Sequence, residues 1–165
     1  MSIFAESKTM PQEIERKFLV RSDEFKSLAK GEYIHQGFLS TVKERVVRVR
    51  IKGEEAWITV KGISKGASRA EFEYEIPFED ARFLLNHICE QPTISKHRYA
   101  VLFEGFTWEV DEFHGENEGL VVAEIELPAE DTPFDLPPWA GEEVTTDTRY
   151  FNASLVKNPY KNWKT

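Results

Sequence analysis

The sequence predicts a mainly β fold of the α+β kind: an eight-stranded antiparallel barrel that closes on itself, with a few peripheral helices. Three observations lead there. Strand-like runs recur along the chain with short turn signals between them. Only one long run has strong helical periodicity. Nearly every strand carries charge on alternate residues, as in Glu13-x-Glu15-x-Lys17 near the start and Glu124-x-Glu126 near the end, so one sheet face is charged throughout.

The first strand covers Gln12 to Val20, after which Ser22 or Asp23 caps a short amphipathic helix through Phe25, Leu28 and Ala29. A second strand runs through Tyr33 to Thr41. Val46 to Lys52 and Ala56 to Gly62 form a hairpin around Gly53-Glu54-Glu55. A glycine-containing turn from Gly62 to Ser68 leads into Ala70 to Pro77. Phe78, Ala81, Leu84, Leu85 and Ile88 fall at helical spacing and predict a helix over Glu79 to Glu90. Three further strands follow, Ile94 to Phe103, Phe106 to His114 and Gly119 to Leu127, turned at Gly105 and at Gly115 to Gly119. The proline-rich, acidic stretch from Pro128 to Pro138 reads as a surface loop anchored by Phe134 and Trp139, and Asp147 as the cap of a last helix with Tyr150, Phe151, Leu155 and Val156. Closing the sheet removes its exposed edges.

The 165 residues fit one domain: residues 1–11 as an N-terminal extension, 12–155 as barrel and helices, 156–165 as a C-terminal tail. No apolar run approaches the roughly 18 residues of a membrane span, and Met1 to Met10 lacks the pattern of a secretory signal, so a cytoplasmic protein without membrane contact is expected. The net charge of -8 argues against nucleic-acid binding. Apolar outer strand faces that the few helices leave uncovered favour a homodimer. Cys89 reads as a buried structural thiol, and His35, His87, His97 and His114 lack the short spacing of zinc ligands. Gly62-x-x-x-Gly66 lacks the Lys-Ser/Thr ending of a phosphate loop and reads as a hairpin turn, while Trp57, Trp108, Trp139 and Trp163 read as packing residues.

The charged faces carry the functional signal. Solvated sheet faces mix signs, whereas here like charges repeat two residues apart, as in Glu71, Glu73 and Glu75 or Arg48 and Arg50, with Lys96 and Arg98 behaving alike. Such neighbours repel unless a counter-ion or ligand lies between them. Carboxylates suit a hard dication such as magnesium or manganese, and forked guanidinium donors suit phosphate oxygens. If the apolar alternate faces pack against helices outside the barrel, the charged faces line its lumen. Together these groups make a site for metal-assisted phosphoryl chemistry.

Motifs in order sharpen this reading. Glu13-Ile14-Glu15-Arg16-Lys17 is joined by Gln36-Gly37-Phe38-Leu39, Val47-Arg48-Val49-Arg50, Thr59-Val60-Lys61, Glu71-Phe72-Glu73, Lys96-His97-Arg98-Tyr99, Asp111-Glu112-Phe113, Glu124-Ile125-Glu126 and Gly141-Glu142-Glu143-Val144-Thr145. Across Gln12 to Leu155 the chain resembles the CYTH domain proteins, the triphosphate tunnel metalloenzymes. That resemblance implies a charge-lined eight-stranded tunnel that binds a triphosphate group with Mg2+ or Mn2+. Lys17, Arg48, Arg50, Lys61, Lys96 and Arg98 would then bind phosphate oxygens, with Arg149 as an added cation at the tunnel mouth. Glu13, Glu15 and Glu126 would hold the main metal, and Glu71, Glu73, Asp111 and Glu124 would lie near a second metal or the attacking water. Glu13, Glu15, Lys17 and Lys61 would carry the catalytic step, with Lys61 beside Glu13 as a general-base pair.

Short bacterial members with this opening motif look most like inorganic triphosphatases, whereas others are class IV adenylate cyclases or thiamine triphosphatases. Cyclisation also demands a positioned ribose hydroxyl, for which the sequence shows no group. The expected function is therefore metal-dependent hydrolysis of the terminal phosphate of tripolyphosphate or a related triphosphate. A noncatalytic polyphosphate or nucleotide binder built on the same clamp is the reading from another class.

Overall fold

A computed structural model describes residues 10–163. Most of the expected N-terminal extension lies outside the described residues. Nine strands form one sheet: β1 (Gln12–Val20), β2 (Gly31–Ser40), β3 (Val46–Lys52), β4 (Glu55–Lys61), β5 (Ser68–Ile76), β6 (Ile94–Phe103), β7 (Phe106–Phe113), β8 (Val121–Glu126) and β9 (Ala140–Glu143). Their spatial order is β5-β4-β3-β2-β6-β7-β8-β1-β9. Every pairing is antiparallel. An added β1–β5 pairing closes eight of the strands into a barrel. Helix α1 (Phe78–His87) follows β5, and α2 (Asn152–Lys157) comes near the end of the chain.

Closure divides one edge of β1. Its first residues pair with β5, Gln12 opposite Ala70 through Ile14 opposite Ser68. Its last residues pair with β9, Phe18 opposite Glu143 and Val20 opposite Ala140. Between them the Glu15 N–H donates to the Ala67 carbonyl, and the Lys17 N–H donates to Thr145 Oγ1 at 3.0 Å. The short strand β9 thus covers backbone donors that β5 cannot reach.

The core lies on the outer faces of the barrel and at one of its ends. Phe18, Trp108, Val110, Ala123 and Ile125 pack outside it with Phe25 and Trp139. Helix α1 covers the β3–β4 wall, where Val49 and Ala56 meet Ala81, Leu85 and Cys89. Cys89 is buried and its thiol is pushed up to about 11 by that burial, as an inert structural thiol requires. His97 stands opposite the charged face, with Nδ1 2.6 Å from His114 Nε2.

The inner face changes character along its length. Following alternate residues, β8 reads Glu126, Glu124, Val122; β7 reads Glu109, Asp111, Phe113; β6 reads Arg98, Lys96, Ile94; β3 reads Arg50, Arg48, Val46. The last member of each series is apolar. Val122, Phe113, Ile94 and Val46 come together with Phe38, and on them sit Leu155 and Val156 of α2. One end of the lumen is therefore filled by the C-terminal helix.

Several boundaries differ from the sequence expectation. The helix after β1 is a single 3-10 turn, Glu24–Ser27. Asp147 caps the 3-10 turn Thr148–Tyr150 by accepting from the Arg149 N–H, while α2 begins after Phe151. The segment expected as a tail from 156 is part of the fold as far as Trp163, where Tyr160 and Trp163 pack against the α2 cluster. Among the described residues no helix is long and apolar enough to cross a membrane.

Candidate active site

The charged faces do line the lumen. They enclose a cavity of about 460 Å³ whose wall includes Glu13, Glu15, Lys17, Arg48, Arg50, Lys61, Glu71, Glu73, Lys96, Arg98, Glu124 and Glu126. Period-two alternation puts these side chains inside because their neighbours, such as Phe18, Val49 and Ile125, are held in the outer clusters.

Most of the cations are held by acids on other strands. Lys61 Nζ donates to Glu13 Oε2 at 2.9 Å, and Arg69 Nε lies 3.5 Å from the same oxygen. Lys17 Nζ donates to Glu124 Oε1 at 3.1 Å. Arg98 grips Asp111 through Nε at 2.7 Å and Nη2 at 2.9 Å, while Nη1 reaches Glu109 at 2.9 Å. Lys96 Nζ also donates to Asp111, at 2.7 Å. Arg48 Nη2 donates to Thr59 Oγ1 at 3.0 Å, and Thr59 in turn donates to Glu73. Arg48 Nε is buried with no partner among the described residues. A buried guanidinium N–H without a protein acceptor, on the wall of a cavity, fits an anionic oxygen from a ligand.

Burial and neighbouring charge separate otherwise similar groups. Burial works against charge on Lys17, but Glu124 and Glu15 overcome it and raise its pKa. For Lys61, burial followed by Arg48 outweighs Glu13 and lowers it. Burial would raise Glu13, yet Lys61 and Arg69 hold it down to about 2. Burial lowers Lys96 to about 7 and Arg50 to about 9; Asp111 only partly restores Lys96, and Arg48 and Arg98 depress Arg50 further.

Glu15 and Glu126 behave in the opposite way. They face each other across β1 and β8. Burial raises both; Glu124 and Glu13 add to it at Glu15, and Glu13 and Glu109 at Glu126. Crowded carboxylates in a partly buried wall are an all-oxygen donor set that a hard dication matches. Among the described residues no three acidic, histidine or cysteine side chains already converge on one point. Glu15 and Glu126 are the pair that would hold such a dication.

Asp111, expected near a second metal or the attacking water, is 1% exposed and paired with Lys96 and Arg98. Arg149, expected at the tunnel mouth, pairs with Asp147 at 2.7 Å and lies near the Trp163 ring. Lining residues that the sequence reading did not assign to the site include Arg69, Phe151 and Asn152. Arg69 continues the alternation of Glu71 and Glu73, but the predicted strand began one residue too late to include it. Phe151 and Asn152 arrive from the C-terminal segment, which no strand pattern reports.

The comparisons agree with this geometry. A family model described as CYTH domain matches residues 11–160. An inorganic triphosphatase of Acetivibrio thermocellus is 57% identical over 155 residues, 94% of this chain and 99% of that protein. An inorganic triphosphatase of Nitrosomonas europaea is 37% identical over 152 residues, 87% of this chain and 96% of that protein. The crystal structure of the inorganic triphosphatase NE1496 superposes with a TM-score of 0.63 at 34% identity, covering 90% of this chain and 97% of that one. With the barrel, the ordered motifs and the charge-lined lumen in place, the chain belongs to the CYTH domain family.

Proposed function

We propose that the protein hydrolyses the terminal phosphate of inorganic triphosphate with the help of a divalent cation, Mg2+ or Mn2+. The observation that carries this is the lumen itself: arginines and lysines from several strands face one cavity, and Arg48 offers a buried N–H with no protein acceptor among the described residues. The two relatives named inorganic triphosphatase support the choice of substrate.

In this reading Arg48, Arg50, Lys96, Arg98, Lys17 and Arg69 clamp the phosphate oxygens. Arg98 is pre-aligned by Asp111 and Glu109, so little reorganisation is needed on binding. Glu15 and Glu126 hold the dication, with Glu13 and Glu124 beside them already engaged by Lys61 and Lys17. Bound there, a hard dication neutralises the charge that develops on the phosphate oxygens. Glu71 and Glu73, on the β5 wall, would hold a second ion. Lys61, in its pair with Glu13, is the proton acceptor for the attacking water once it has released its own proton. Burial and Arg48 lower its pKa and so ease that release.

The test is phosphate release from tripolyphosphate, ATP and thiamine triphosphate with magnesium or manganese, alongside cyclic AMP formation from ATP. Fastest release from tripolyphosphate is expected. Faster cyclic AMP formation would make the protein a cyclase, and tight binding without turnover would make it a polyphosphate binder. Glu15→Gln and Glu126→Gln are each expected to remove metal-supported turnover by several orders of magnitude. They should also weaken Mn2+ binding in a direct titration.

A further inference from the structure

Hydrogen-bond chemistry assigns a role to Asn152, the first residue of α2. Its Oδ1 accepts from Gln36 Nε2 at 2.8 Å and from Lys96 Nζ at 2.9 Å. Gln36 Oε1 accepts from Arg50 Nε at 2.9 Å. These contacts fix both amide orientations. Arg50 has donors only, so the oxygen of Gln36 must face it and the nitrogen must face Asn152. Gln36 therefore meets Asn152 with a donor only, so Asn152 must present its oxygen, which Lys96 shares.

One consequence is a hydrogen-bonded chain from Arg50 through Gln36, Asn152 and Lys96 to Asp111 and Arg98. A second concerns the other half of the amide. Both side-chain hydrogen bonds of Asn152 among the described residues go to Oδ1, which leaves the two Nδ2 N–H donors of a cavity-lining residue available to a ligand. Its preceding neighbour Phe151 lies under two more cations, with Lys17 Nζ 5.4 Å and the Arg69 guanidinium 5.7 Å from its ring. A neutral donor surrounded by cations suits an anionic oxygen.

We propose that Asn152 is a substrate-binding residue whose Nδ2 donates to a phosphate oxygen of the bound triphosphate while its Oδ1 positions Lys96. This rests on the triphosphate reading above. In this role the C-terminal helix is part of the site: it plugs one end of the lumen and sets a neutral donor among the charged clamps. Lys96, with two N–H groups spent on Asp111 and Asn152, keeps its third for the ligand.

The experiment follows the Asn152 side-chain amide by 15N–1H NMR, assigned by its loss in Asn152→Ala, as tripolyphosphate is added in EDTA and again with magnesium. The resonance pair should move and saturate at the same ligand concentration as calorimetric binding. Asn152→Ala should weaken tripolyphosphate binding about tenfold, as expected for one hydrogen bond to a charged group. Asn152→Asp keeps an acceptor for Gln36 and Lys96 but loses the donor; it should fold with an unchanged or higher melting temperature and bind more weakly still. An amide resonance that stays fixed at saturation, or both variants binding within twofold of wild type, overturns the proposal while leaving the triphosphate reading standing. Wild type that binds no tripolyphosphate at all overturns both.

Discussion

Lys17 and Lys61 are the same side chain on the same cavity wall, and each is paired with a glutamate, yet their surroundings separate them. Glu124 and Glu15 keep Lys17 charged, while burial with Arg48 nearby lowers Lys61. Lys17 is thereby suited to clamping and Lys61 to accepting a proton. Lys61→Arg retains the positive charge but cannot be deprotonated. It is expected to leave tripolyphosphate affinity within a few fold while kcat falls about 10²–10⁴-fold, read by single-turnover hydrolysis. Equal losses in affinity and rate would make Lys61 a clamp. Asp111 shows a different residue-scale effect, because it is the buried counter-ion for both Lys96 and Arg98. Asp111→Asn strands two cations in the wall and is expected to cost about 3–5 kcal/mol in urea unfolding. If Asp111 were chiefly a metal ligand, the substitution would weaken Mn2+ binding and leave stability nearly unchanged.

At the scale of elements, the barrel was largely legible because a strand repeats every two residues and its signal is local. The acids of β1 and β8 and the bases of β3 and β6 could be placed on one face from spacing alone. What spacing could not supply was where each strand stops and what returns to cover it. One further step along the same alternation reaches Val46, Ile94, Phe113 and Val122, an apolar ring that marks a closed end. The partner of that ring lies far along the chain: Asn152 is 116 residues from Gln36 and 56 from Lys96. Strand β9 was missed because its four residues sit beside a proline-rich loop and are held by the edge of β1 rather than by a pattern of their own. Leu155, fully buried in the ring, ties these features together. Leu155→Ala should cost about 2–5 kcal/mol in unfolding and also weaken tripolyphosphate binding, because the helix it anchors carries Phe151 and Asn152. A stability loss with unchanged affinity would separate the plug from the site.

At the scale of the whole molecule, a chain of net charge -8 gathers cations around an internal cavity, and the energetic cost of doing so appears in Lys96. Burial lowers it to about 7, Asp111 partly offsets this, and Arg98 and Arg50 depress it further. In the unfolded chain a lysine titrates at ~10.4. Between about 7 and that value the unfolded state binds more protons than the folded state, so ligand-free stability contributed by this group rises with pH across the window. An anion in the cavity acts oppositely on the folded protein. Phosphate oxygens near Nζ favour the ammonium, so binding should draw a proton from solution wherever ligand-free Lys96 is largely neutral. Calorimetric titration of tripolyphosphate at pH 8, in two buffers of different ionisation enthalpy, measures that uptake. Wild type should take up a substantial fraction of one proton more than Lys96→Met, and the difference should vanish near pH 6, where Lys96 is already charged. Equal uptake by the two proteins at pH 8 would mean that Lys96 keeps its proton in the empty cavity, and that Asp111 outweighs burial there.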